Sequence, residues 1–108
     1  MSKGNNNLNL IPFDALAMAA ECLKCIAHPH RLRIIELLLL GEFNVDQITE
    51  KTGLSQPVTS GHLRLMHGKG LLASERRNRS VYYSVKNPQL KNIIQNIRSS
   101  AGTCVVNN

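Results

Sequence analysis

The chain has 108 residues, 43% of them apolar and only 4% aromatic, with three cysteines and a net charge of +6. That length holds one domain with a small core, and leaves no room for a large substrate cleft beside it. No run approaches the roughly 18 apolar residues of a membrane span, and the polar opening Met1–Asn7 does not read as a signal peptide, so a cytoplasmic protein with reduced thiols is expected.

Charge is unevenly spread. Residues 1–50 carry four basic and six acidic side chains, whereas residues 51–108 carry nine basic ones against Glu75 alone. A half with that excess calls for an anionic partner, and nucleic acid leads because neutralising phosphates releases condensed counterions. The scarcity of aromatic residues argues against single strands, which are held by stacking.

Residues 1–12 read as a flexible Asn-rich leader, and Asp14 as the cap of a first helix. Along that helix Ala15, Met18, Cys22 and Cys25 form one apolar stripe, and Leu16, Ala19, Leu23 and Ile26 the stripe beside it. So broad an arc suits a helix that packs on its own core and on a partner subunit. His28-Pro29 interrupts the pattern, with Pro29 in the first turn of a second helix that runs from Arg31 to Leu40, mostly buried, and stops at Gly41. Asn44 caps a third, short helix over Val45–Lys51, Thr52-Gly53-Leu54 is a tight turn, and Ser55 caps a fourth helix with Pro57 in its first turn, reaching about Lys69. Leu71–Glu75 and Val81–Val85 read as a hairpin with Arg76-Arg77-Asn78-Arg79 at its tip. Asn87-Pro88 opens a last helix with Leu90, Ile93, Ile94 and Ile97 at helical spacing. The domain is thus expected over 13–99, with a flexible tail over 100–108.

The order is α-α-α-α-β-β-α: mainly helical, with a small β-hairpin. Two short helices joined by a Gly turn lay the second across the first, and a major groove admits one helix. On that second helix Gln56, Ser60, Gly61 and Arg64 are expected to face out and Leu63 and Met66 in, with Ser55 and Pro57 at its opening. Gln56 suits a bidentate bond to adenine and Arg64 guanine or phosphate, while Ser55 and Ser60 suit phosphate. Arg76, Arg77 and Arg79 would grip adjacent backbone or a narrow minor groove. A basic hairpin can be merely solvated, but the helix pair before it points to duplex DNA independently.

Residues from about 16 to 98 resemble the ArsR/SmtB family of bacterial winged helix-turn-helix repressors. The resemblance rests on Leu23-Lys24-Cys25-Ile26-Ala27-His28-Pro29-His30-Arg31-Leu32-Arg33-Ile34, on Leu54-Ser55-Gln56-Pro57, on Ser60-Gly61-His62-Leu63, and on Gly70-Leu71-Leu72 with the Arg-rich wing that ends in Tyr82-Tyr83. It implies a homodimer built from the first and last helices, a palindromic double-stranded operator, release by an inducer, and a DNA contact at His62. Where the family carries a polar residue and then a buried valine, this chain reads Val58-Thr59. Which of the two faces outward is open, with Thr59 a candidate contact.

The family's Cys-x-Cys metal pair has no thiol to match it in Phe43–Ile48, and its Asp/His site has no Asp, Glu or His to match it in Asn87–Arg98. The cysteine that its persulfide sensors carry in the second helix is also missing, so no metal site is assigned. Cys22 and Cys25 lie i, i+3 on one helix face, and Cys104 follows the last helix. Together they suit trivalent arsenic, and a pair suits redox modification. The alternatives are that Cys22 and Cys25 are small core residues and Cys104 incidental, and that the regulator has no inducer site of its own. His28 and His30 around Pro29 read as turn packing and His67 as a surface residue. A winged-helix protein–protein or architectural module is the competing class. No nucleophile motif or Gly-rich phosphate loop is present, so no enzyme is expected.

Overall fold

Prolines and capping side chains decide where the helices start. The computed structural model describes residues 8–101, so the expected leader and tail lie largely outside the described residues, as does Cys104. Five helices, α1 (Phe13–Ile26), α2 (Pro29–Leu38), α3 (Val45–Thr52), α4 (Gln56–Gly68) and α5 (Gln89–Ser99), alternate with strands β1 (Phe43–Asn44), β2 (Leu72–Arg77) and β3 (Ser80–Val85). Pro12, not Asp14, occupies the cap position of α1, and Asp14 sits in the first turn, where its charge suits the positive helix end. His28 caps α2 through its ring nitrogen, with Pro29 in the first turn.

The helix-turn-helix is the best-capped part of the chain. Asn44 Oδ1 accepts from the Gln47 N–H and Gln47 Oε1 from the Asn44 N–H, both at 2.9 Å, a reciprocal box that fixes the start of α3. Gly53 ends α3 with φ of 78°, a left-handed conformation that glycine adopts without strain. Ser55 Oγ then accepts from the Val58 N–H and opens α4, with Pro57 in its first turn.

The sheet is antiparallel in the order β1-β3-β2. β2 and β3 form the hairpin, from Leu72 opposite Val85 to Arg77 opposite Ser80, and Asn78 turns it at φ of 58°. Arg76 and Arg77 therefore lie on β2, not at the tip. β1 adds Phe43 opposite Tyr83 and Asn44 opposite Tyr82, a pairing too short to leave a periodic signal in sequence.

One core unites Ile34, Ile35 and Leu38 of α2, Ile48 of α3, Leu63 and Met66 of α4, Leu71, Leu72 of β2, and Leu90 and Ile94 of α5. Cys25 and Ile26 join it from the last turn of α1. The second helix starts and ends two residues earlier than expected, at Pro29 and Leu38, and Leu40 is 79% exposed. Four consecutive leucines on a helix, each 100° from the last, cannot all face one core.

Candidate nucleic-acid interface

Helix α4 sorts its side chains as an amphipathic helix must. Leu63 and Met66 are fully buried, while Gln56, Pro57 and Arg64 are exposed and Ser60 and Gly61 half-buried. Thr59 is the correction: it is 0% exposed, and its hydroxyl donates to the Ser55 carbonyl at 2.9 Å. Val58, beside it, is the outward residue, 45% exposed. The buried-valine role falls to Thr59, whose methyl packs inward while its hydroxyl is satisfied one turn back, so it presents nothing to a duplex.

The opening of α4 is steadied from α3: Gln56 Nε2 donates to Asp46 Oδ1 at 3.4 Å. Asp46 has no signature in the sequence as a site residue; only the crossing of α3 and α4 brings it there. The far end of α4 is tied to the sheet. His67 Nε2 lies 3.2 Å from Ser74 Oγ on β2, and the His67 ring stands edge-on to Tyr83 on β3, 6.3 Å between centroids. His67 is exposed, as expected of it, but it also joins the outward helix to the wing.

The three wing arginines are not equivalent. Arg77 bonds the Glu42 carboxylate, lies 3.6 Å from Glu75 and stacks over the Tyr82 ring at 4.4 Å. The hydrogen bond to Glu42 raises its pKa above the usual arginine value. Arg76 and Arg79, exposed like Arg64, have no carboxylate within ion-pair reach among the described residues. Expected as one basic grip, the three divide into two free cations and one that is already occupied.

His62 is half-buried, its Nδ1 accepting from Arg31 Nε at 3.1 Å. Its ring lies 4.8 Å from that of His28 and 6.1 Å from that of His30. Among the described residues, no group of three His, Cys, Asp or Glu side chains is arranged to hold a metal ion. Cys25 is 5% exposed, and burial pushes its thiol pKa up, which leaves it protonated and poorly reactive. Cys22 is half-buried against the same core.

A capped helix pair, an outward polar helix face and a basic two-stranded wing define a winged helix-turn-helix transcriptional regulator. Residues 28–74 match the family described as "Bacterial regulatory protein, arsR family". The chain is 41% identical over 86 residues to the transcriptional repressor PagR of Bacillus anthracis, covering 79% of this chain and 86% of that one. It is 37% identical over 83 residues to the HTH-type transcriptional regulator YgaV of Escherichia coli K12, covering 75% and 83%. The crystal structure of NolR from Sinorhizobium fredii superposes with a TM-score of 0.76 at 29% identity, covering 86% of this chain and 95% of that one. The chain belongs to the arsR family. No helix among its described residues is long and apolar enough to cross a membrane.

Proposed function

We propose that this regulator is a homodimeric repressor that binds a palindromic duplex operator, each subunit laying α4 in a major groove and its wing along the flanking backbone. The observation that carries this is the division of α4: Thr59, Leu63 and Met66 hold it to the core, while Ser55, Gln56, Pro57, Ser60, Gly61 and Arg64 line the side left to solvent. Gln56 reads a base edge, Arg64 a guanine or phosphate, and the serines phosphates. Arg76 and Arg79 supply the wing's backbone grip.

Dimerisation is supported by a second surface. Leu10, Ile11, Phe13, Leu16, Met18 and Leu23 are all exposed, and Ile97 adds to them from α5. So many exposed large apolar side chains, most of them on or beside one helix, mark a protein interface. A symmetric dimer places its half-sites about one helical turn, roughly 34–36 Å, or a multiple apart. Selection from random duplexes tests the reading. Enrichment of an inverted repeat with that spacing supports it, and failure to enrich any sequence overturns it in favour of a protein–protein or architectural module.

Release requires a ligand that prefers a dimer arrangement unsuited to the operator. Cys22 is the described thiol open to an oxidant or to trivalent arsenic. Loss of operator binding on adding arsenite or peroxide to wild type, but not to Cys22→Ser, supports that route. Binding unaffected in wild type rules thiol sensing out.

A further inference from the structure

The end of α1 has an unmet hydrogen bond. The Cys25 carbonyl lies in the last turn of α1, where carbonyls have no donor from their own helix, and Pro29 has no N–H to offer it. The His28 N–H turns instead to the Ile26 carbonyl, at 2.7 Å. Arg31 supplies the missing donor, its Nη1 reaching the Cys25 carbonyl at 2.8 Å. The same guanidinium sends its Nε–H to Nδ1 of His62, on α4, at 3.1 Å. A guanidinium is planar and its five donors are fixed relative to one another, so the two bonds define a single geometry. Beside the apolar packing of Cys25 and Ile26 in the shared core, the ion pair of Lys69, just past α4, with Glu21 at 4.0 Å joins exposed groups and contributes little.

Accepting through Nδ1 commits His62 to the neutral ring with its proton on Nε2. Its surroundings favour that state: burial first, then the charges of Arg31, His28 and His30, lower its pKa. The His28 ring beside it accepts, through Nδ1, from the His30 N–H at 3.1 Å.

We propose that Arg31 is a positioning residue for α4. It fixes the outward helix to the end of α1, so that the helix bearing the exposed apolar face sets the attitude of the helix that meets DNA. The inference rests on the DNA-binding reading above, and it gives coupling between dimer geometry and operator affinity a specific physical link.

The test uses Arg31→Lys, which keeps the charge but replaces the fork with a point donor, together with Arg31→Ala and His62→Leu. The probes are a duplex enriched by random selection and an unrelated duplex of the same length. Arg31→Lys is expected to weaken binding to the selected duplex about tenfold, leaving the unrelated duplex and the salt dependence as in wild type. His62→Leu loses about as much, and the double variant loses no more than either single, because one link is broken once. In the free protein, ring NMR of Arg31→Lys shows His62 leaving its single Nε2–H tautomer. Multiplying losses in the double variant would overturn the proposal. So would an Arg31→Ala variant whose salt slope shrinks by about one phosphate with the His62 tautomer unchanged, since Arg31 is then a direct phosphate contact. Wild-type discrimination by both single variants would also overturn it while leaving the functional reading intact. Failure of wild type to bind any duplex would sink that reading, and this role with it.

Discussion

Helices α1 and α4 bury similarly little of themselves and differ in the chemistry they expose. Of the 14 residues of α1, only Cys25 and Ile26 are buried; of the 13 of α4, only Thr59, Leu63 and Met66. What α1 leaves in water is mostly apolar, with Phe13 80% and Met18 74% exposed. What α4 leaves there is mixed: Gln56, Arg64 and the half-buried Ser60, with Val58 and Leu65 among them. Exposure alone says that both faces have room for a partner. The chemistry of each face says which: a second apolar surface for α1, a charged and hydrogen-bonding one for α4.

The contrast breaks most visibly at α1. Met18→Asp puts a charge into the apolar face, and sedimentation is expected to show monomers. Operator affinity falls by about two to four decades as the two half-sites lose their linkage. A Met18→Asp protein that stays dimeric would move the interface elsewhere. On α4 the inward side is the more costly to disturb: Leu63→Ala removes a fully buried side chain and is expected to lower unfolding free energy by about 2–5 kcal/mol in denaturant titration. Gln56→Ala touches only the outward side. It should cost about 1–3 kcal/mol at one base position and relax the preference there in a selection experiment, with melting temperature nearly unchanged.

The same contrast is sharpened within the wing. Arg79→Ala should reduce the slope of log affinity against log salt by about 0.9, the contribution of one phosphate. Arg77→Ala should change that slope less, because Glu42 and Tyr82 already engage its guanidinium. Equal slope losses would show that Arg77 leaves Glu42 on binding. The smallest effect concerns protons. The His62 pKa is lowered in the fold, so the unfolded chain binds more protons at mildly acidic pH. The stability that His62 contributes is present above its unfolded pKa, near 6.5, and is lost as pH falls through the folded value. His62→Gln should flatten that part of the stability profile, and an unchanged profile would assign the titration to another group.

Much of this was legible in the chain itself, for local reasons. Asn44, Gly53, Ser55 and Pro57 act on their own neighbours, so they locate the helix-turn-helix almost to the residue. The hidden features are those set by distance in sequence. Glu42 meets Arg77 and Arg31 meets His62 across 35 and 31 residues, and no local pattern encodes either meeting. The two residues of β1 exist as a strand only because β3 lies beside them. Val58 and Thr59 could not be ordered from composition, since either fits an inward site; the fold seats the one whose hydroxyl finds a carbonyl a turn back.

A repressor built this way must turn α4 and the wing toward a duplex. Titration of the selected and unrelated duplexes across a range of salt tests it most directly. Affinity for both is expected to fall linearly in log–log form, with the selected duplex held at least about a thousandfold more tightly at physiological salt. Binding that ignores salt, or that holds the two duplexes alike, would contradict it.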